Sequence, residues 1–494
     1  MMKKPNVIFI LADDLGYGDV SCLNPQGKIN TPNIDRIAAE GLKFTDAHAA
    51  SSLCSPSRYA VLTGRYCWRK LSKGIVNVFG DTILPPQRMT IANMLKKQGY
   101  STACFGKWHL GMGWNKISEE PGKLPQVDFT KPVTAGPTTN GFDTYFGVDV
   151  PNWPPYCFIE NKNTIGIPSG ESPLKLSIEE ISIKGPTVEN WDLKKILPSI
   201  TDRACKYIEE KANDVNPFFM YFPLTSPHTP LAVNDPWRGK SGLNLYADYV
   251  METDAMVGRV LDILKKMNIE DNTIICFASD NGCAPVIGVK YLEAHGHYPS
   301  YIFRGYKAHA WDGGHRIPFV MRWPNTIKPG GAYNHHVCLT DFFATIAAIT
   351  GFNIPDSAGE DSISFLPVLN GNNSPVRDVL ISHSGFGKFA IRKGPWKLIL
   401  CAGSGSPRVV DNLATPSDTQ AKELGLPPYQ LYNLDYDIGE MHNVYSERPD
   451  VVKELVEILR GYVANGRSTP GGVQPNDIEV CLDPEDSAVL LDDL

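Results

Sequence analysis

The chain has 494 residues, with 47 Lys+Arg against 54 Asp+Glu, a formal charge of −7 and 42% hydrophobic residues. Disordered chains are poorer in apolar residues, and nucleic-acid binders carry a basic excess or a basic run, so both classes are excluded. What is left is a well-cored globular protein of more than one domain, or of one large domain with an appendage.

The N-terminal Met1-Met2-Lys3-Lys4-Pro5 runs into Val7 to Ala12, an apolar stretch too short for a signal-peptide core, which predicts a first strand. No later run approaches the roughly 18 apolar residues needed to cross a bilayer. The expectation is a soluble chain without a membrane span, periplasmic or secreted if an export signal was trimmed. Val7 to Leu11, Thr102 to Phe105, Phe218 to Leu224, Thr273 to Ala278 and Phe319 to Met321 are continuous apolar runs of the buried-strand type. Between them, helical period predicts Asn33 to Glu40 after Thr31-Pro32, Ile91 to Gln98 capped by Thr90 and stopped by Gly99, Ile200 to Asn213, and Tyr246 to Met267. Strands alternating with helices predict an α/β fold around a large, mostly parallel sheet. From Gly111 to Gly185 loop chemistry dominates, as in Pro151-Asn152-Trp153-Pro154-Pro155, and a loop that long is more often functional than accidental. Near residue 380 the texture changes. Phe389 to Arg392 and Trp396 to Leu400 predict a hairpin around Lys393-Gly394-Pro395, Gln430 to Tyr432 a further strand, and Val451 to Ala464 a helix. The expected division is 1–380 for the larger domain and 381–494 for a smaller α+β subdomain with an antiparallel sheet, ending in a frayed Leu-Leu-Asp-Asp-Leu tail.

In an open α/β sheet, chemistry lies beyond the carboxyl ends of the strands. There the predicted strands deliver Asp13-Asp14, Lys107-Trp108-His109, His228 and Asp280-Asn281. Asp13, Asp14, Asp280 and Asn281 form an oxygen-only set suited to Ca²⁺ or Mg²⁺ and not to zinc. Each piece alone has a plainer reading as a turn, a cap or a satisfied histidine; their common edge carries the argument. The eleven cysteines form no CxxC pair and no zinc-type cluster, and their odd number leaves at least one without a partner in the chain. Cys54 stands out. In Cys54-Ser55-Pro56-Ser57-Arg58-Tyr59-Ala60-Val61-Leu62-Thr63-Gly64-Arg65, Pro56 favours a helix start and Gly64 a stop, so Cys54 falls at a helix N-terminus with Arg58 one turn on. The other ten cysteines read as buried small hydrophobes.

That segment resembles the signature of the sulfatases of the alkaline-phosphatase superfamily. Asp13-Asp14-Leu15-Gly16-Tyr17-Gly18-Asp19, Gly106-Lys107-Trp108-His109-Leu110-Gly111, Ser279-Asp280-Asn281-Gly282, Lys307-Ala308-His309-Ala310-Trp311-Asp312-Gly313-Gly314 and Leu431-Tyr432-Asn433-Leu434-Asp435 resemble further family blocks in family order. The resemblance implies that Cys54 is oxidised to formylglycine by a formylglycine-generating or anaerobic sulfatase-maturating enzyme. One hydroxyl of the hydrated aldehyde would attack sulfur, and the other would later lose its proton to expel sulfate. It also implies one Ca²⁺ on Asp13, Asp14, Asp280 and Asn281, and contacts from Arg58 and Lys107 to the formylglycine oxygens. Lys107, His228 and Lys307 would neutralise the sulfuryl group, with His228 the general acid, Lys307 its rival and His109 the base. The texture is closest to bacterial carbohydrate sulfatases, including those acting on 6-sulfated galactose or N-acetylgalactosamine. Trp153, Tyr156, His295, His297, Arg304, His309, Trp311 and His315 are then the candidate substrate residues. Two alternatives stand beside this reading: a phosphonate or phosphate ester hydrolase of the same superfamily, and a catalytically inactive sugar-binding relative.

Overall fold

The computed structural model describes residues 4–406 and 416–482. The Leu-Leu-Asp-Asp-Leu end lies outside the described residues. Ten strands form the main sheet: β1 (Asn6–Ala12), β2 (Leu42–Phe44), β3 (Ser101–Lys107), β4 (Thr144–Val148), β5 (Ile159–Glu160), β6 (Asn163–Thr164), β7 (Phe218–Pro223), β8 (Thr273–Ser279), β9 (Phe319–Arg322) and β10 (Gly331–Tyr333). Their order is β10-β2-β9-β8-β1-β7-β3-β4-β5-β6. The central run from β8 to β4 is parallel. The flanks turn antiparallel, at β9 against both of its neighbours and at β5 against β4 and β6. The predicted strand at Phe319 to Met321 is therefore present but runs against β8.

Every residue of β1 is buried, as expected for a central strand covered on both faces. Val7, Phe9 and Leu11 enter one core with Leu62, Leu95 and Phe342, while Ile8 and Ile10 enter the other with Ile200, Val250 and Leu261. The two cores are the two faces of one sheet, separated by the period-2 alternation of the strand. The helices needed here are α1 (Pro32–Ala39), α2 (Cys54–Thr63), α3 (Ile91–Lys97), α4 (Ile196–Lys211), α5 (Leu245–Lys266) and α6 (Pro449–Ala464). Thr90 caps α3 by accepting from Asn93 N, and Asn244 caps α5 by accepting from Ala247 N. α4 starts at Ile196, four residues before the expected Ile200, because Pro198 is tolerated in a first turn.

A second, antiparallel sheet has the order β11-β12-β13-β14, from Val379–His383, Phe389–Lys393, Trp396–Ile399 and Gln430–Asn433. Residue 380 thus lies inside its first strand. After α6 the chain returns to the larger body, where Asp477 pairs with Arg65 at 3.3 Å and Asn476 accepts from Arg69 at 2.9 Å. All eleven cysteines are unpaired. The expectation that the ten besides Cys54 are buried fails at Cys481, which is exposed, and at Cys22 and Cys205, which are half-buried.

Candidate active site

β8, β1, β7 and β3 are consecutive in the sheet and parallel, so their carboxyl ends open on one edge. That edge receives Asp13-Asp14 after β1, Asp280-Asn281 after β8, His228 after β7 and Lys107 at the end of β3. α2 brings Cys54 to the same place. All ten of its residues are buried, Gly64 ends it at φ 64°, and no side chain caps its first turn. Cys54 is its first residue, so the positive dipole end of the helix lies at the site, which favours an anion there.

Ligand-type atoms of Asp13, Asp14, Cys54 and His228 all lie within 4.8 Å of one another. Arg58 grips Asp280 Oδ2 through Nε at 3.0 Å and Nη2 at 2.7 Å, and approaches Asp13 Oδ1 at 3.2 Å. Lys107 Nζ donates to Asp13 Oδ2 and Lys307 Nζ to Asp14 Oδ2, both at 2.8 Å. Three carboxylates are thus met by three fixed cations. Asp14 has a left-handed backbone, φ 63°, held by its N–H on Asp280 Oδ1 at 3.1 Å and by Tyr246 Oη donating to its carbonyl at 3.2 Å. A non-glycine residue at such a φ is strained and collects at functional sites.

Asn281 Oδ1 is buried without a hydrogen-bond partner, and Asp13 Oδ1 has the Arg58 ion pair at 3.2 Å but no hydrogen bond. Buried oxygens are rarely left so, and both belong to the oxygen-only set expected to hold a hard divalent cation. Burial raises the Asp280 carboxyl, and Asp13 and Asp14 add to it. Burial would also raise Asp13, but Lys107, His228, Arg58 and Lys307 hold it well below the usual carboxylate range. An added cation would relieve the crowding of Asp280, so the donor set fits Ca²⁺ or Mg²⁺.

Burial pushes the Cys54 thiol up to about 12 against the pull of Lys107 and Lys307. As a thiol it is neutral at physiological pH, the reverse of an activated cysteine nucleophile. His109, with φ 55°, engages Val76 O through Nε2 at 3.1 Å, and its Nδ1 is buried without a partner. Donation from Nε2 leaves Nδ1 as a free lone pair. Burial, with Lys107 and Arg58, keeps this ring well below the ordinary histidine value. His228 bonds Thr229 O through Nδ1, which turns Nε2 toward Asp14 Oδ2 at 3.6 Å. Burial, helped by Lys307 and Lys107, brings His228 down to about 4. The floor of the site is closed: Cys54 is 2% exposed and Arg58 and Lys107 fully buried. Solvent reaches it past His228 and Lys307, whose side chains are 12% and 18% exposed.

The candidate substrate residues fare differently. Trp153 packs edge-on against His109 with ring centres 5.2 Å apart, so it walls the site, but it is buried. Tyr156 is buried and its hydroxyl donates to the backbone at Asn152 O, which makes it a loop strut. His297 is buried between Asp19 Oδ1 at 2.8 Å and the Lys28 N–H. Trp311 is buried with Nε1 on Gln430 Oε1 at 3.0 Å, and Arg304 lies over its ring at 3.8 Å while donating to Glu440 O. His309 accepts from Tyr306 N, and His315 sits between His48 and Ser382. Tyr156, His297, Trp311 and His315 are internal supports, since their side-chain polar atoms are held within the protein, whereas Arg304 is half-buried and His309 engages Tyr306 N through Nδ1. His295 is exposed but stacks on Tyr291. Sequence reasoning missed Asp149, whose Oδ1 accepts from His109 N at 3.1 Å, and Tyr246 on Asp14. Asp19, quoted in the first block without a role, holds both Tyr246 Oη and His297; its place three residues beyond Gly16 was the available signal.

A model of the family described as Sulfatase matches residues 5–352. An N-acetylgalactosamine-6-O-sulfatase of Bacteroides thetaiotaomicron is 34% identical over 92% of this chain and 93% of its own. A human steryl-sulfatase is 30% identical over 75% of this chain and 70% of its own. Among solved structures, one from Bacteroides thetaiotaomicron connected with its metabolism of multiple glycosaminoglycans superposes with TM-score 0.80 at 31% identity, covering 93% of this chain and 99% of that one. A phosphonate monoester hydrolase of Agrobacterium radiobacter, at TM-score 0.60 and 19% identity over 93% of this chain and 95% of its own, shares the fold. The chain belongs to the sulfatase family.

Proposed function

We propose that this enzyme removes O-sulfate from a carbohydrate, using formylglycine made from Cys54 and a divalent cation, Ca²⁺ in preference, on Asp13, Asp14, Asp280 and Asn281. The observation that carries the reading is the convergence of Cys54, the three carboxylates and three cationic side chains on one closed floor. When present, formylglycine supplies a hydrated aldehyde whose hydroxyls serve as nucleophile and, later, as the group that expels sulfate, and the cation supplies positive charge beside it. Arg58 and Lys107 orient the oxygens at position 54. Lys107 and Lys307 stabilise negative charge on the sulfuryl oxygens, in a transfer that is mostly positioning and electrostatics. His228, 12% exposed at the edge of the site, is the proposed proton donor; because Nδ1 donates to Thr229 O, Nε2 must first take up a proton, which the negative charge of a bound sulfate ester beside it favours. His109 Nδ1 is the proposed base in sulfate release. A thiol neutral at physiological pH makes direct thiolate catalysis by Cys54 the weaker alternative.

The likeness to an N-acetylgalactosamine-6-O-sulfatase, 34% identical over 92% of the chain, supports 6-sulfated galactose or N-acetylgalactosamine as substrate. Defined 6-, 4- and 3-sulfated monosaccharides test it: 6-sulfate should be released fastest, and preference for a ring-position sulfate refutes it. Mass analysis of the Cys54 peptide should show conversion of CH₂SH to CHO. Cys54→Ala should abolish release, and wild-type rate in that variant would overturn the mechanism. An aryl phosphonate turned over faster than the matching aryl sulfate would favour the phosphonate reading. A membrane anchor is not part of the proposal, and no described helix is long and apolar enough to cross a bilayer.

A further inference from the structure

A second buried cluster lies outside the site. His48, Asp312 and His315 bring three ligand-type atoms within 4.8 Å, yet their ring nitrogens are engaged. His48 holds Asp46 through Nε2 at 2.7 Å and His315 through Nδ1 at 2.9 Å, and His315 Nε2 faces Ser382 Oγ at 3.1 Å. Lys397 and Arg316 also press on Asp312. Cations occupy this cluster as side chains, so it is an ion-pair network and not a metal site.

Lys397 comes from β13 in the second sheet and is 2% exposed. Its Nζ lies 2.6 Å from Asp312 Oδ1 and 2.7 Å from Glu440 Oε1. Glu440 Oε2 in turn accepts the Asp312 N–H at 2.7 Å, and its carbonyl accepts from Arg304 at 2.7 Å. Both ends of the 304–315 segment are therefore tied to residues after 396. Within that segment, Lys307 N donates to Cys283 O at 3.0 Å, and Gly314 O accepts from Gly282 N at 2.9 Å. The contact with Gly282 is backbone on backbone, since a Cβ there would lie 1.9 Å from Gly313 O. Lys307 and the turn that carries Asp280 and Asn281 thus share one rigid support. Burying an ammonium with two carboxylates costs desolvation that apolar packing would avoid. Short charge-assisted bonds do what apolar packing cannot, because they fix direction as well as distance.

We propose that Lys397 is a positioning residue: through Asp312 and Glu440 it sets the place of Lys307 and of the Asp280-Asn281-Gly282 turn. The proposal rests on the role given above to Lys307. The test compares mature enzyme carrying Lys397→Met, Lys397→Met with Glu440→Gln, Lys307→Ala, and their combinations. Readouts are thermal melting, kcat and KM on 4-nitrophenyl sulfate, and Ca²⁺ titration calorimetry. The Lys397→Met/Glu440→Gln pair removes one charge of each sign, and carries the test if Lys397→Met alone does not fold. It should melt cooperatively, lose about 10-fold in kcat, as small misplacements in a site do, and bind Ca²⁺ more weakly. In the Lys307→Ala background the further loss should shrink to less than about 2-fold, because coupled residues are non-additive. Wild-type kcat and Ca²⁺ affinity in the folded pair variant, or the same fold-loss with and without Lys307, would overturn the proposal. Wild-type kcat in Lys307→Ala alone would instead overturn the role of Lys307.

Discussion

His383 offers a quantitative link between the wall of the site and the acid stability of the whole protein. Its carbonyl accepts from Ser52 N at 3.0 Å and from Ser51 Oγ at 2.9 Å, two and three residues before Cys54. Its ring is buried against Phe389 at 4.7 Å, and burial brings its pKa from 6.5 down to about 4. A histidine lowered on folding contributes no penalty above pH 6.5. As pH falls below 6.5 the unfolded chain gains a proton that the folded chain refuses, and stability drops until the folded ring also titrates near 4. Between pH 7.5 and 5.5 this amounts to RT ln(1 + 10), about 1.4 kcal/mol. Unfolding a chain of this length carries roughly 1 kcal/mol per kelvin of entropy, so the loss is about 1.4 °C in Tm. His383→Gln keeps the backbone acceptor and removes the titration. It should shrink the Tm difference between pH 7.5 and 5.5 by about that amount. Adding His336→Gln, at a ring held down to about 3 chiefly by burial, should shrink it by about twice as much. Because wild type and variant share every other group, opposing carboxyls such as Asp254, raised by burial to about 6, cancel in the comparison. An unchanged pH dependence in His383→Gln by scanning calorimetry would refute the reasoning.

Removing bound cation with a chelator should lower Tm reversibly, and Asp13→Asn should weaken Ca²⁺ by at least roughly tenfold in calorimetry, since one of few charged ligands is lost. Arg58→Met should destabilise the fold by about 3–5 kcal/mol in denaturant titration, because it strands Asp280 as a buried charge, and should abolish turnover. His228→Gln should slow release from sugar sulfates far more than from 4-nitrophenyl sulfate, whose leaving group needs no proton; equal losses would move the proton donor to Lys307. Gly282→Ala should fold poorly or lose sulfatase activity, as its Cβ would lie 1.9 Å from Gly313 O, and full activity would show that the turn can shift freely.

Some features were legible residue by residue. The apolar runs at Val7 to Leu11 and Thr273 to Ala278 read as buried strands because burial on both faces demands it. Thr90 and Gly64 marked helix ends because capping and a left-handed φ need few partners beyond the local chain. The surroundings of the candidate rim aromatics and histidines were hidden for the opposite reason. A histidine or tryptophan in a loop shows its chemistry in sequence but not its partner, and Trp311 found Gln430 and His297 found Asp19 across long separations.

The sequence by itself determined the family blocks, the strand and helix types, and the donor atoms at each strand end, since these depend on local chemistry and spacing. Only the tertiary structure decided that β8, β1, β7 and β3 stand side by side. That order turns four separate strand ends into one floor, and it arises from long-range pairing, whose free energy is written in no single segment. The same holds for Lys397, an unremarkable strand lysine until folding places it between Asp312 and Glu440.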